Sequence, residues 1–187
     1  MDERLALLLH PVRMRLVHAM RAAGSLTTRE LCAQLPDLPK ATVYRQVERL
    51  ARGGVLEVES ERRVRGAVER RYRLIPSAAA VSVDDARTMT LEDHRGAFTA
   101  AMAALIADFG AYLDRGRADP SADQVSYRRY LVWLSPEERS GLIDELSQMV
   151  RSLARNEPTE TRTPHTLSTV FFPARSDAPP SATAVRP

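Results

Sequence analysis

The segment Lys40-Ala-Thr-Val-Tyr-Arg-Gln-Val-Glu-Arg-Leu50 has one apolar edge and one arginine-rich edge. At about 100° per residue, Val43, Val47 and Leu50 fall on one narrow stripe of a helix. The opposite side carries Ala41, Thr42, Arg45, Arg49 and Arg52. The planar fork of arginine can bond a guanine edge at two points, and small side chains can approach a thymine methyl. The pattern predicts a helix over 40–52 that packs on one side and reads a DNA groove with the other. An ordinary helix with a solvated polar face has the same pattern.

Two patterns upstream predict helices that would support this one. Pro11 opens a run with apolar residues at 12, 16, 17 and 20, and a glycine follows the run. Thr27 stands three residues before Glu30, a capping-box spacing that predicts a short helix over 28–35. Pro36-Asp37-Leu38-Pro39 then turns the chain. Two short helices joined by a tight turn form a helix-turn-helix.

A β-hairpin with a basic tip is predicted after the 40–52 helix. Gly53-Gly54 ends the helix, and residues 55–59 alternate apolar and charged side chains, as a half-buried strand does. A second strand is predicted over 68–74, after a loop centred on Arg65-Gly66-Ala67. The arginines near the tip are Arg62, Arg63, Arg65, Arg70, Arg71 and Arg73. They could hold phosphates or enter a minor groove, or they could form a charged edge that discourages sheet aggregation.

This order of elements resembles the winged helix-turn-helix repressors of bacteria, in particular longer ArsR-like proteins with a C-terminal extension. The resemblance covers about the first 75 residues. It is carried by His10-Pro11-Val12-Arg13, Thr28-Arg29-Glu30-Leu31, Ala41-Thr42-Val43-Tyr44-Arg45, Glu48-Arg49-Leu50 and Gly53-Gly54-Val55-Leu56. It implies a homodimeric transcriptional regulator, with the 40–52 helix in the major groove and the hairpin beside it.

The chain departs from the metal-sensing members of that family, which carry a cysteine pair in the helix that here reads Glu30-Leu31-Cys32-Ala33-Gln34-Leu35. This chain has one cysteine in total. A lone thiol cannot form the cysteine-rich site that soft metals require. Cys32 is interpreted as a small core residue, with a ligand or redox role as the alternative.

We predict three groups of DNA-binding residues, separated by what each would contact. Thr42, Arg45 and Arg49 are expected at base edges. Lys40, Tyr44 and Arg52 are expected at the phosphate backbone. Arg63, Arg65 and Arg70 are expected to serve the wing.

Composition favours a cytoplasmic DNA-binding protein. Residues 1–75 contain 15 basic and 9 acidic side chains, a net charge of +6, whereas the remainder contains 12 and 15, a net charge of −3. A basic half supplies the salt-sensitive part of DNA affinity. The sequence offers no signal peptide, and we expect no membrane-spanning apolar run and no membrane partner. Arginine provides 26 of the 27 basic residues, Lys40 being the exception, which is typical of a GC-rich bacterial genome.

A linker is predicted over 76–90 and a long helix after it. Thr90 precedes Asp93 at capping spacing, and large apolar residues recur at spacings of four and three from Phe98 to Tyr112. That spacing makes an a/d seam, which requires a second helix. We expect the 91–115 helix to pair with its copy in a homodimer. An intramolecular core helix is the alternative, and both can hold.

The remainder is predicted to form a small strand-helix-strand unit. Residues 127–134 are rich in aromatic and branched side chains, as strands are. Ser135-Pro136-Glu137-Glu138 is a strong helix start, and residues 166–172 resemble a second strand. The stretch 174–187 is rich in Pro, Ala and Ser and is expected to be a disordered tail.

Eight of the ten aromatic residues lie between 98 and 172. They could line a pocket for an apolar effector, or they could be core and dimer interface. The candidate pocket residues are Phe98, Met102, Tyr127, Tyr130, Trp133, Phe171 and Phe172.

The sequence contains no catalytic or metal motif: no Gly-rich phosphate loop, His-Glu-x-x-His, Gly-x-Ser-x-Gly or Cys pair. His94 lies beside Glu92 and Asp93, but consecutive helical residues point in different directions. We therefore expect no enzyme, cofactor or metal site.

The predicted fold class is α+β, mainly helical. It comprises a winged helix-turn-helix DNA-binding domain over 1–75, the linker, a dimerisation and effector domain over 91–173, and the tail. The expected function is a sequence-specific transcriptional regulator that binds double-stranded DNA at a palindromic operator as a homodimer. A winged-helix module that binds a protein surface is the alternative.

Overall fold

The computed structural model describes residues 3–64, 66–79, 81–156 and 159–174, with Val83 described in its backbone alone. The chain divides into two compact units, residues 1–123 and 124–187. The first unit contains, in chain order, α1 Glu3–Leu8, α2 Pro11–Ala23, β1 Ser25–Thr27, α3 Thr28–Gln34, α4 Lys40–Arg52, β2 Leu56–Val64, β3 Ala67–Leu74, α5 Val83–Thr88 and α6 Leu91–Leu113. The second contains α7 Pro136–Leu153.

The core of the first unit lies where α2, α3 and α4 meet the base of the hairpin. Its most completely buried side chains are Leu16, Met20, Leu31, Val43, Val47, Leu50 and Val55. Three of them are the apolar stripe predicted for α4. Burying a Val, Leu or Met side chain stabilises a fold by about 1.5–3 kcal/mol each, so this cluster fixes α4 in place.

The helix boundaries follow from local capping chemistry. The Thr27 hydroxyl accepts a hydrogen bond from the Glu30 amide (3.2 Å), and the Thr27 amide donates to the Glu30 carboxylate (2.7 Å). The same reciprocal box begins α6 at Thr90 and α7 at Ser135, and Pro11 occupies the first turn of α2. The predicted starts of these four helices are therefore confirmed.

The hairpin belongs to a three-stranded antiparallel sheet in the order β1-β3-β2. The predicted β2 and β3 are present, and a register shift between Val58 and Ser60 marks a bulge in β2. The short strand β1 was not predicted; it pairs Leu26 with Tyr72 and brings the α2–α3 connection against β3. The hairpin is thereby joined on its other edge to the helices.

Helix α6 packs on α2 through its small residues. Ala100 and Ala104 are buried, whereas the large side chains of Phe98, Ile106 and Leu113 are exposed to 49%, 73% and 45%. The α6 helix therefore lies in the same unit as α4, instead of in a separate domain over 91–173. The predicted linker over 76–90 also contains a helix, α5, which Ser82 and Asp85 cap reciprocally.

The strand-helix-strand prediction is wrong for the described part of the second unit. Its helix is present as α7, but residues 127–134 and 166–172 belong to no helix or strand. A strand needs a partner for its backbone groups and a surface for its apolar face. The apolar faces of these stretches have no covering surface among the described residues, since Tyr130, Leu131 and Trp133 are exposed to 72%, 71% and 72%. Most of the predicted tail, 175–187, lies outside the described residues.

Candidate nucleic-acid interface

Helix α4 presents two opposite faces. On the first face, Val43 and Leu50 have no exposed surface and Val47 has 2%. This face therefore packs entirely in the core. Gln46 is also buried, at 4% exposure. Its Oε1 accepts a hydrogen bond of 3.0 Å from Nη1 of the buried Arg13 on α2. A buried amide without a partner would cost about 1–3 kcal/mol, so this contact fixes the rotation of α4 about its axis.

The remaining face of α4 carries the predicted DNA-binding side chains. Lys40, Tyr44, Arg45, Arg49 and Arg52 are exposed and Thr42 is half-buried. Arg52 forms an ion pair of 2.5 Å with Glu48 on the same exposed surface. Within the described part of the chain, Arg45 and Arg49 have no carboxylate partner. Two cations on one open helix face are thus available to an external anion or base edge.

The turn before α4 is held from beneath. Arg15 of α2 is 3% exposed and donates two hydrogen bonds to the Asp37 carboxylate, at 2.6 and 3.0 Å. Its Nε donates a third, of 2.5 Å, to Asp108 of α6. The hydrogen bonds with Asp37, and then with Asp108, raise the pKa of Arg15. The hydrogen bonds from Arg15 lower the pKa of Asp37. The turn from α3 to α4 is therefore bound to both α2 and α6.

The hairpin is less positive than its arginine content predicts. Cross-strand ion pairs join Arg70 to Glu61 at 2.8 Å and Arg73 to Glu57 at 2.7 Å. Arg71 reaches the Glu30 carboxylate at 2.8 Å, and Arg62 approaches Glu69 at 3.9 Å. Arg63 is exposed and has no carboxylate partner among the described residues, whereas Arg65 lies outside them.

Sequence reasoning missed two residues that hold this face in place: Arg13 and Gln46. The Arg13 guanidinium donates to the carbonyls of Ala6 and Leu7 at the end of α1 as well as to Gln46. Arg13 and Gln46 interrupt the apolar stripes of their helices, and a polar residue at such a position gives no periodic signal. Arg13 was noted only as part of the resemblance.

The comparison with protein families agrees with this geometry. A family model described as a helix-turn-helix domain matches residues 8–59. The chain contains a helix-turn-helix domain. The match runs from the end of α1 to the first half of β2, so it includes α4 and excludes β3. Such a domain indicates a DNA-binding regulator. No curated protein matches the sequence.

The residues of the candidate effector pocket are divided between the two units. Phe98 and Met102 lie on α6, on its exposed and half-buried surface. A concavity of about 750 Å³ beside Tyr127 is lined by the consecutive residues 124–128 and is a feature of that loop. Tyr127, Tyr130, Trp133, Phe171 and Phe172 are all exposed in the second unit. The pocket remains a prediction.

Two further expectations concern metals and membranes. Among the described residues, no group of three or more His, Cys, Asp or Glu is placed to hold a metal ion, and Cys32 lies half-buried against the core. The expectation that no stretch could span a membrane is wrong in one respect: α6 is long enough and apolar enough to do so. The α6 helix has 23 residues, and an 18-residue window within it has a mean hydropathy of 1.4, with 11% of that window buried. Its ion pair with Arg15, inside the unit that carries the helix-turn-helix, favours a helix of a soluble protein.

Proposed function

We propose that this chain is a sequence-specific transcriptional regulator that binds double-stranded DNA as a homodimer. The observation that carries the proposal is the division of α4 into a fully buried apolar face and an open face where Arg45 and Arg49 have no carboxylate partner among the described residues. A surface arginine without a carboxylate can donate its whole fork to a guanine edge or a phosphate. The helix-turn-helix match covers the same helix.

The ion pairs refine the predicted roles. Arg45 and Arg49, with Thr42, are assigned to base edges, because a free guanidinium can form a bidentate contact without first breaking a salt bridge. Arg52 and Arg70 already bind Glu48 and Glu61, so they are assigned to the phosphate backbone, together with Lys40 and Tyr44. On the hairpin, Arg63 is the described arginine best suited to a wing contact, and Arg65 is proposed with it.

The dimer is proposed to form through α6. Its small residues face α2. Of the predicted a/d seam, Phe98 is exposed, and Met102, Leu105, Phe109 and Tyr112 are half-buried. A helix that packs with one face and exposes Phe98, Ile106 and Leu113 on another is suited to a second copy of itself. Two copies would present two α4 helices to half-sites about one helical turn apart, or a multiple of it.

The aromatic residues of the second unit are proposed to contribute to an effector site. None of the side chains described there is buried, although the segment contains Trp133 and several other aromatic residues. Apolar side chains at that density need a covering surface. A ligand bound among them would act by favouring or disfavouring the spacing of the two α4 helices that fits DNA.

Selection of bound sequences from a random pool of duplex DNA tests the function. We expect an enriched palindromic motif and an affinity that falls steeply as salt rises, because phosphate contacts release counterions. Arg87→Ala is the control for substitutions of the α4 arginines, because it removes one exposed arginine outside the helix-turn-helix match. This variant should select the same motif as wild type. If no DNA sequence is selected, and the protein instead binds a protein partner with an affinity that changes little with salt, the winged-helix protein-interaction module is supported.

Sedimentation of an Ile106→Glu variant tests the dimer. Ile106 is 73% exposed, so a charge there leaves the monomer folded and places two like charges in the proposed interface. We expect a folded monomer with weakened operator binding. Val81→Glu, which adds the same charge at an exposed apolar residue outside α6, should remain dimeric. A dimeric Ile106→Glu would exclude this face of α6.

A further inference from the structure

Helix α7 of the second unit has an apolar stripe along one side. The stripe consists of Leu142, Leu146, Met149 and Leu153, at spacings of four, three and four, with Ile143 and Val150 along one edge. Val150, Leu153 and Met149 are exposed to 40%, 54% and 55%, and no side chain of the helix is buried. Spacings of four and three form a seam whose side chains pack into the holes of a second helix. Within the described part of the chain, no helix covers this stripe.

The two edges of the α7 stripe differ in chemistry. Ile143 and Val150 lie along one edge, and Glu138 and Glu145 lie along the other. In a parallel pair of identical helices, each edge meets the opposite edge of its partner, so the carboxylates would lie against apolar side chains. In an antiparallel pair, each edge meets the same edge of its partner. The two apolar edges then cover one another, and the carboxylates stay on the polar side.

The charge of α7 also changes along its length. Residues 136–146 contain four acidic side chains and one basic side chain, a net charge of −3. Residues 147–155 contain two basic side chains and no acidic one, a net charge of +2. An antiparallel pair of two such helices places the acidic half of each beside the basic half of the other, whereas a parallel pair places like charges together. The stripe is therefore complementary to itself in one orientation.

Arg139 favours the same orientation. It lies one heptad before Leu146, at the start of the seam. In a parallel pair, the two Arg139 guanidinium groups would meet within the seam and repel. In an antiparallel pair, each lies beside the C-terminal end of the partner's α7, where the last carbonyl groups carry partial negative charge.

We propose that α7 pairs antiparallel with α7 of a second copy of this chain. Leu142 then packs beside the partner's Leu153, and Leu146 beside the partner's Met149. The inference rests on the dimer of the proposed function and adds a contact to it. A helix of 18 residues spans fewer than three heptads and pairs weakly by itself, so it pairs once α6 has brought two copies together. The monomer expected of Ile106→Glu is unchanged.

Disulfide cross-linking tests both the occupant and its orientation. Cys32→Ser first removes the one native thiol. Two forms with different tags, one carrying Leu142→Cys and the other Leu153→Cys, are then co-expressed and mildly oxidised. We expect a linked dimer that contains both tags. Either form alone should not cross-link, because its two thiols would lie eleven residues apart along the pair, about 16 Å, which is too far for a disulfide.

The control pair is Asp144→Cys with Arg151→Cys. These two residues lie at equivalent levels of the pair, but on its outer surface, and both are exposed. A linked dimer formed equally by this control would indicate random collision and overturn the inference. Cross-linking of each single form with itself would indicate a parallel pair and would also overturn it. No linked dimer, in protein that sediments as a dimer, would assign the stripe to a different protein or an apolar ligand and leave the proposed function standing.

A second measurement covers the case in which the cysteine variants fold poorly. Met149→Glu places a charge within the stripe, and Gln148→Glu places the same charge at the next residue, outside it. Both residues are exposed, so both variants should keep the far-UV circular dichroism of wild type. We expect Met149→Glu to raise the dissociation constant of the dimer by about tenfold or more, measured by sedimentation, with Gln148→Glu unchanged. Equal constants would overturn the inference. Wild-type protein that sediments as a monomer would remove the dimer of the proposed function as well, and a linked dimer that selects no DNA would remove only the DNA-binding function.

Discussion

Replacement of Arg15 by methionine tests the connection that holds α2, the turn before α4 and α6 together. The guanidinium is 3% exposed and makes three charge-assisted hydrogen bonds, two to Asp37 and one to Asp108. Methionine keeps an unbranched apolar stem in the core and removes the charge and all three donors.

The expected loss of stability in Arg15→Met depends on how exposed Asp37 and Asp108 are. A hydrogen bond to a charged group contributes about 1.5–3 kcal/mol. Asp37 and Asp108 are 35% and 27% exposed, so both carboxylates regain water when Arg15 is lost. The three hydrogen bonds together therefore contribute less stability than the sum of their separate values. We expect Arg15→Met to lower the free energy of unfolding by about 3 kcal/mol. In a unit of this size that corresponds to a fall in Tm of about 10 °C.

Urea unfolding followed by far-UV circular dichroism is the appropriate assay. Trp133 lies in the second unit, so its fluorescence would report on another part of the chain. Arg87→Met removes an exposed arginine of α5 and should change stability by less than about 0.5 kcal/mol. Asp108→Asn should cost less than Arg15→Met, since Arg15 keeps Asp37. The reasoning is refuted if Arg15→Met unfolds within about 0.5 kcal/mol of wild type.

Three further substitutions test other parts of the structure. Arg45→Ala should weaken binding to the selected operator by about 1–3 kcal/mol and relax base preference at one position, measured by fluorescence anisotropy on a set of single-base variants; unchanged preference would exclude a base contact. Gly53→Ala should destabilise the protein by about 0.5–1.5 kcal/mol because its Cβ would force the Leu7 side chain out of its present rotamer, and the double variant with Leu7→Ala should recover part of that loss in urea unfolding. The contact with Arg4, which is the main cause, and the cap at α5 lower the pKa of Asp85 to about 2. Its stabilising contribution is therefore complete above about pH 4 and is lost as pH falls through 2, so Asp85→Asn should flatten the acid-unfolding curve in that interval; an unchanged slope contradicts the contact.

The elements that the sequence predicted are those whose signals are local. The helices α6 and α7 begin at capping boxes, α2 begins at a proline, and α4 has a stripe of apolar residues at helical spacing. The hairpin has alternating residues around a glycine turn. Helix α1 has only six residues, too few for a periodic pattern. Strand β1 has three, and it exists through pairing with β3, more than forty residues later in the chain. Nothing in Ser25-Leu26-Thr27 alone predicts that partner.

The candidate site shows the same limit. Exposure of Arg45 and burial of Val47 follow from the helical period, but the partners of the arginines depend on register. The pairing of Arg70 with Glu61 could have been found by counting outward from the turn at Gly66, since the strands are antiparallel and in register up to the bulge. The contact of Arg13 with Gln46 joins residues 33 positions apart in sequence, and no local pattern predicts it.

Arg15 connects the proposed dimer interface on α6 with the turn before α4. Its outward apolar face is the proposed dimer interface, and its inward face reaches, through Asp108 and Arg15, the Asp37 carboxylate in the turn before α4. A displacement of α6 on dimer formation or effector binding would either break a buried charge-assisted contact or move that turn with it. Breaking the contact to Asp108 costs less than the ~3 kcal/mol expected for Arg15→Met, and moving the turn shifts α4 within a core that tolerates only discrete rearrangements. Where the contact holds, the spacing of the two α4 helices in the proposed dimer would follow the packing of α6. If operator affinity in a dimeric Asp108→Asn variant equalled that of wild type, this coupling would be absent.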